Sequence, residues 1–135
     1  MGKYSFGRIG PTFEGTSLAP AFASVTTTAT PASGSCAVQF VFKDVLGNAL
    51  TAPVSGLLYL SEVATGLTND LADTTLAVLT NGALKNLGSA GPSLFTTTAA
   101  GLLGLTITAA ADDYWVVFVK PDGSLLISTV CTVNA

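Results

Sequence analysis

The chain has 135 residues, a single-domain length, of which 49% are hydrophobic and 10% charged; an average soluble protein carries about 25% charge. This composition excludes disorder, which needs charge and few apolar residues. A formal net charge of −3, with Lys+Arg 5, excludes the basic patch that nucleic acid requires.

The first segment, residues 1–20, holds Gly2, Gly7, Gly10, Gly15, Pro11 and Pro20, with Tyr4, Phe6, Ile9, Phe13 and Leu18 between them. So much glycine and proline opposes a helix or a regular strand, while the aromatic content is high for a solvated linker. The spacing predicts an extended N-terminal arm over 1–20 and a β domain over 21–135. Tyr4, Phe6, Arg8, Ile9 and Phe13 are the arm's interaction candidates, ordering on a neighbouring subunit; a frayed terminus is the plain alternative. The same interruptions leave no apolar run of a secretory signal, and Phe6 stands where a myristoylation pattern needs Ser or Thr. The weakly polar stretch 99–111 falls short of the roughly 20 residues of a spanning helix, so no membrane partner is expected.

From residue 21 the period is two. Ala21 to Thr30 is rich in β-branched residues and ends at Pro31, with a turn at Ser33-Gly34. Cys36, Val38, Phe40 and Phe42 then share one strand face and Gln39 and Lys43 the other, as in a strand buried on one side. Residues 44–48 form a loop with left-handed tolerance at Gly47-Asn48, and Gly56 to Val63 is the next strand. A long loop with Thr65, Gly66, Asn69, Asp70, Asp73 and Thr74 follows, and a short helical turn within 67–79 is admissible. Leu76 to Thr80 meets Asn81-Gly82, a strong hairpin signal, and residues 83–87 answer as a return strand.

Leu94 to Thr98 leads through a turn at Ala99-Ala100-Gly101 to alternating Leu103, Leu105, Ile107 and Ala109. Asp112-Asp113 open the strand Tyr114 to Lys120, Pro121-Asp122-Gly123 make a turn with proline at i+1, and the partner runs over 124–133. Nineteen threonines, many in runs, suit strands better than helices. Roughly seven to eight short strands, spaced by about 8–12 residues, predict an all-β antiparallel sandwich, Ig-like or jelly-roll.

Chemistry is absent from this pattern. With no histidine, serine nucleophiles lack their usual base. Asp112 and Asp113 are adjacent, so in a strand they point to opposite faces and read as strand-entry residues. Asn69, Asp70 and Asp73 lack the spacing of a calcium loop, and no phosphate or nucleophile-elbow motif occurs. No enzyme activity, catalytic residue, cofactor or metal is expected. Cys36 and Cys131 lie in strand-like runs without zinc spacing. They read as buried thiols, or as a cross-strand disulfide if the first and last strands are neighbours.

In Tyr114-Trp115-Val116-Val117-Phe118 both strand faces are apolar, so this strand is covered twice. One cover is the core. For the other the low overall charge favours a second subunit over a loop or arm of the same chain, which makes Trp115 a further interaction candidate.

The run Lys43 to Leu50 (KDVLGNAL) resembles a turn of bacterial Ig-like modules. Thr97 to Leu103, followed by Leu105-Thr106-Ile107-Thr108, resembles another of their segments, with Ala99 in the usual place of an aspartate. The closing run Tyr114 to Ser124 is similar to small sandwich proteins on tailed-bacteriophage capsids, the decoration or cement proteins. That resemblance implies a virion structural protein, made in the host cytoplasm and bound in many copies to the outer capsid surface. Its implied partners are the major capsid protein and its own copies, as a dimer or trimer. The alternatives are an Ig-like carbohydrate- or receptor-binding module of a tail fibre or adhesin, with Tyr59, Trp115, Asn69 and Asp70 as sugar contacts, or a tail or connector subunit.

Overall fold

The alternation from Cys36 to Phe42 becomes a strand in which every second side chain is fully buried. The computed structural model describes residues 22–67, 75–87 and 92–135. The arm candidates Tyr4, Phe6, Arg8, Ile9 and Phe13 lie outside the described residues, as do Asn69, Asp70 and Asp73. Ten strands are described: β1 (Ser24–Ala32), β2 (Ser35–Lys43), β3 (Ser55–Ser61), β4 (Thr75–Thr80), β5 (Ala83–Asn86), β6 (Ser93–Thr96), β7 (Leu102–Thr108), β8 (Asp112–Val119), β9 (Leu125–Ile127) and β10 (Cys131–Val133).

They form two antiparallel sheets. One is 4-stranded, in the order β1, β2, β7, β4; the other is 6-stranded, in the order β9, β8, β3, β6, β5, with β10 also paired to β8. Their inner faces enclose one core, and the all-β sandwich is the observed architecture. Its centre is aromatic. Phe42 lies 5.0 Å from Phe22, 4.9 Å from Phe118 and 5.5 Å from Phe95 between ring centroids, and Phe40 is 5.0 Å from Phe118. Most of these pairs meet edge to face, the arrangement that places a ring's positive edge on its neighbour's negative face and contributes about 0.5–1.5 kcal/mol per pair beyond burial. Phe22 joins the cluster just before β1, so the chain enters the sandwich through its core.

Three expectations need correction. Asn81 and Gly82 have the left-handed backbone the hairpin signal implies, with φ of 46° and 88°, yet the flanking strands do not pair. β4 pairs with β7 and β5 with β6, so the turn is an arch from one sheet to the other. The reason is the core: Leu76 and Leu84 both face it, from opposite sheets. The arch is held down tightly, since a Cβ on Gly82 would stand 2.6 Å from the Thr96 carbonyl oxygen and 2.8 Å from Leu103 Cδ1.

The last predicted strand is split. β9 and β10 lie along the same edge of β8, separated by Ser128 to Val130. Ser128 bridges the gap: its backbone N–H donates to the Val116 carbonyl at 2.9 Å, and its Oγ accepts the Val116 N–H at 2.9 Å. A side chain thus replaces a ladder carbonyl, and the one partner strand expected over 124–133 becomes two. β1 also runs past Pro31 to Ala32; on an edge strand a missing N–H costs no ladder bond.

Candidate functional site

The outer faces of the two sheets differ in chemistry. On the 4-stranded sheet, cross-strand neighbours form rows of threonine, alanine and glutamine: Thr28, Gln39 and Gly104 in one row, and Thr30, Ala37, Thr106 and Ala77 in the next. The larger sheet presents an apolar row. Register places Leu125 opposite Val119, Val119 opposite Leu57, Leu57 opposite Leu94, and Leu94 opposite Lys85. At about 4.8 Å between strands, this row crosses roughly 20 Å of surface. Its outer members are open to solvent, Leu94 at 45% and Leu125 at 37% exposure. Val119 and Leu57 are half-buried.

A second row lies beside it: Ile127, Val117 and Tyr59. This one is covered by the chain itself. The Tyr59 hydroxyl donates to the Gly66 carbonyl at 2.6 Å. The Ser61 hydroxyl donates to the Val63 carbonyl at 3.1 Å and the Gly66 N–H donates to the same oxygen at 3.0 Å, folding residues 62–67 back over the sheet. Gly66 has φ of 70°, and a Cβ there would lie 3.0 Å from Val117 Cγ2 and 3.1 Å from Ile127 Cδ1. Glycine is therefore required by backbone and by space. Val117 is fully buried, and its cover is this loop, not the second subunit expected from the sequence. A face this low in charge still had a local polar solution, because backbone carbonyls of the loop accept from the sheet's own hydroxyls.

Trp115 sits on the same outer face, opposite Ser61 and half-buried. Tyr59, a sugar-contact candidate, has its hydroxyl committed to Gly66. Asp112 and Asp113 do open β8, both exposed, and the Asp113 carboxylate accepts the Thr132 hydroxyl at 2.7 Å. At one end of the apolar row, Lys85 and Leu94 line a shallow depression of about 260 Å³ with Ala83, Leu84 and Thr96. The other end follows the turn holding Asp122, whose carboxyl is kept below its ordinary range chiefly by the Ser124 hydroxyl and backbone N–H. Among the described residues, no three or more Cys, Asp or Glu side chains gather as a metal site would need, and no helix is long and apolar enough to cross a membrane.

Leu57, Leu94 and Leu125 were not singled out from the sequence, although their signal was present. Each sits next to an apolar residue of opposite facing: Leu57-Leu58, Leu94-Phe95, Leu125-Leu126. The doubled pattern that marks β8 recurs in β3, β6 and β9.

These features define a two-sheet antiparallel β-sandwich with one apolar outer face. No family model matches the sequence, and no curated protein matches it either. Among solved structures, the chain is similar to a cohesin module from the family 33 glycoside hydrolase of Clostridium perfringens ATCC13124, with a TM-score of 0.48 and 8% identity over 84% of this chain and 98% of that chain.

Proposed function

We propose that this chain is a non-catalytic structural subunit that binds an assembled protein shell in many copies, as the capsid decoration proteins of tailed phages do. The observation that carries this reading is the apolar row Leu125, Val119, Leu57, Leu94 on the outer face of the larger sheet, exposed at Leu125 and Leu94, while the opposite sheet is threonine-rich. Exposed contiguous apolar surface on a small domain marks a protein–protein contact. In a shell, each docking event is weak, but symmetry repeats it and linked contacts raise the effective concentration of the next. The row faces the major capsid protein, and the segment 1–20, with Tyr4, Phe6, Arg8, Ile9 and Phe13, adds apolar burial at about 25 cal/mol per Å². Trp115 extends the same face, and further copies of the chain, as dimer or trimer, are its lateral partners.

The test is rebinding. Capsids purified from the source phage and stripped of the chain should take it up again at saturating, symmetry-matched stoichiometry, with the label on the outer surface in micrographs. Removing residues 1–20 should leave a folded domain with at least tenfold weaker uptake. Absence of the chain from purified capsids sinks the reading. A glycan-array signal lost in Trp115→Ala would replace it with a carbohydrate-binding module, and stacked rings of the chain alone would replace it with a tail-tube subunit.

A further inference from the structure

The first and last strands of the sandwich meet at one corner. Asn134 sits beside Ser33, just past the end of β1, with its backbone N–H donating to the Ala32 carbonyl at 3.0 Å and its carbonyl accepting the Gly34 N–H at 2.9 Å. The strand β10 that precedes Asn134 presents Cys131 to the core, opposite Tyr114 of β8, and β2 presents Cys36 to the same core, opposite Pro31 of β1. Both side chains are fully buried and both are thiols. Both thiols belong to the one core cluster, and burial pushes the Cys131 thiol up to about 11, with Cys36 adding to that rise.

We infer that Cys36 and Cys131 are a disulfide-forming pair, closed by exchange with a low-molecular-weight disulfide, that staples the C-terminal strand to the β1–β2 hairpin. The inference is independent of the shell-binding reading.

The route follows from the fold. A buried neutral thiol does not attack, because the thiolate is the nucleophile. Strand β10 has only three ladder residues and is separated from β9 by the Ser128 gap, so its opening leaves the pairings of β8 with β9 and with β3 in place. On opening, Cys131 regains an ordinary thiol acidity, loses its proton to solvent and attacks the small disulfide RSSR. A mixed disulfide Cys131–S–S–R forms and RS⁻ leaves. The same opening uncovers Cys36, whose thiolate attacks the Cys131 sulfur and expels the second RS⁻, and both leaving groups take up protons. In sum, two protein S–H bonds break and one S–S bond forms; the protein loses two electrons and RSSR gains them as two RSH. The closed loop spans nearly the whole sandwich, the case in which a cross-link restricts the unfolded chain most.

The experiment incubates the full chain with oxidised glutathione at pH 8, below its melting midpoint, then alkylates and measures intact mass. The expected product is a monomer two hydrogens lighter, with both thiols lost together and no glutathione attached, whose melting midpoint rises by about 10 °C. In Cys36→Ala and in Cys131→Ala, the oxidant should leave the midpoint unchanged. The inference is overturned by two alkylated thiols after prolonged oxidation, by a lasting glutathione adduct, by covalent dimers, or by an internal bond that lowers the midpoint. Because the decisive measurement is made on the unsubstituted protein, a poorly folding variant does not blunt it.

Discussion

The two outer faces are built on the same core with the same strand geometry, yet one is dressed in threonine and the other in leucine. On the 4-stranded sheet β1 and β2 alternate cleanly, so burial on one side leaves polar or small side chains on the other. On the larger sheet, strands β3, β6, β8 and β9 carry apolar residues in adjacent pairs, and one member of each pair has nowhere to go but outward. The chain hides part of that surplus with its own 62–67 loop. It leaves the rest, the row ending at Leu94 and Leu125, uncovered by any described residue. Apolar content by itself therefore does not define an interaction surface; what defines it is the apolar content that the domain does not fold over.

The largest effect should come from charging that remainder. Leu94→Glu combined with Leu125→Glu should reduce shell uptake by more than 100-fold with little change in folding, since both sites are exposed. Thr28→Glu combined with Ala77→Glu adds the same charge to the other face and should leave uptake within twofold. Equal losses in the two pairs would show that net charge, not the row, controls binding, and the contrast between faces would collapse.

Next in size is the response of the shared core, which sets the baseline against which both faces are compared. Burial raises the Cys131 thiol to about 11 in the folded protein, above an unfolded value near 8.5. A raised folded value means that the stabilisation is complete below the unfolded value and is lost as pH climbs through the folded one. Denaturant unfolding of the reduced protein should therefore be flat up to about pH 8.5 and lose on the order of 2 kcal/mol by pH 11. Cys131→Ala should remove most of that slope while lowering the baseline.

The covered row gives a smaller handle. Gly66→Ala forces a Cβ against Val117 and Ile127 at a positive φ, and should cost about 1–2 kcal/mol in the same titration. It should also increase binding of a hydrophobic dye, because a lifted loop extends the exposed row. Tyr59→Phe removes one hydrogen bond to the loop and should cost about 1 kcal/mol. A Gly66→Ala protein with unchanged dye binding would mean that the loop does not shield the sheet.

Much of the fold was legible in the residues. The alternation of Cys36 to Phe42 and of Leu103 to Ala109 named the inner faces of β2 and β7 correctly, and Pro121-Asp122-Gly123 turns β8 into β9, as the backbone bond from Lys120 N–H to Ser124 at 2.9 Å attests. These are local properties: side chains alternate because strand geometry has period two, and a turn forms because its residues accept the dihedrals it needs.

What stayed hidden was how segments distant in the chain are partnered. Asn81-Gly82 specifies a tight reversal but not whether its arms join one sheet or two; only the core, requiring Leu76 and Leu84 from opposite sides, made it an arch. Nor could residue order say that Ser128 would complete a broken ladder, that residues 62–67 would cap Val117, or that Asn134 would bring Cys131 to the corner that holds Cys36. The sequence by itself determined strands, turns and an excess of apolar side chains, because those follow from backbone geometry and composition within a few residues. Tertiary structure alone decided which of those side chains are covered and which remain open, because cover depends on contacts between segments far apart in the chain, whose free energy is settled only when the whole sandwich closes.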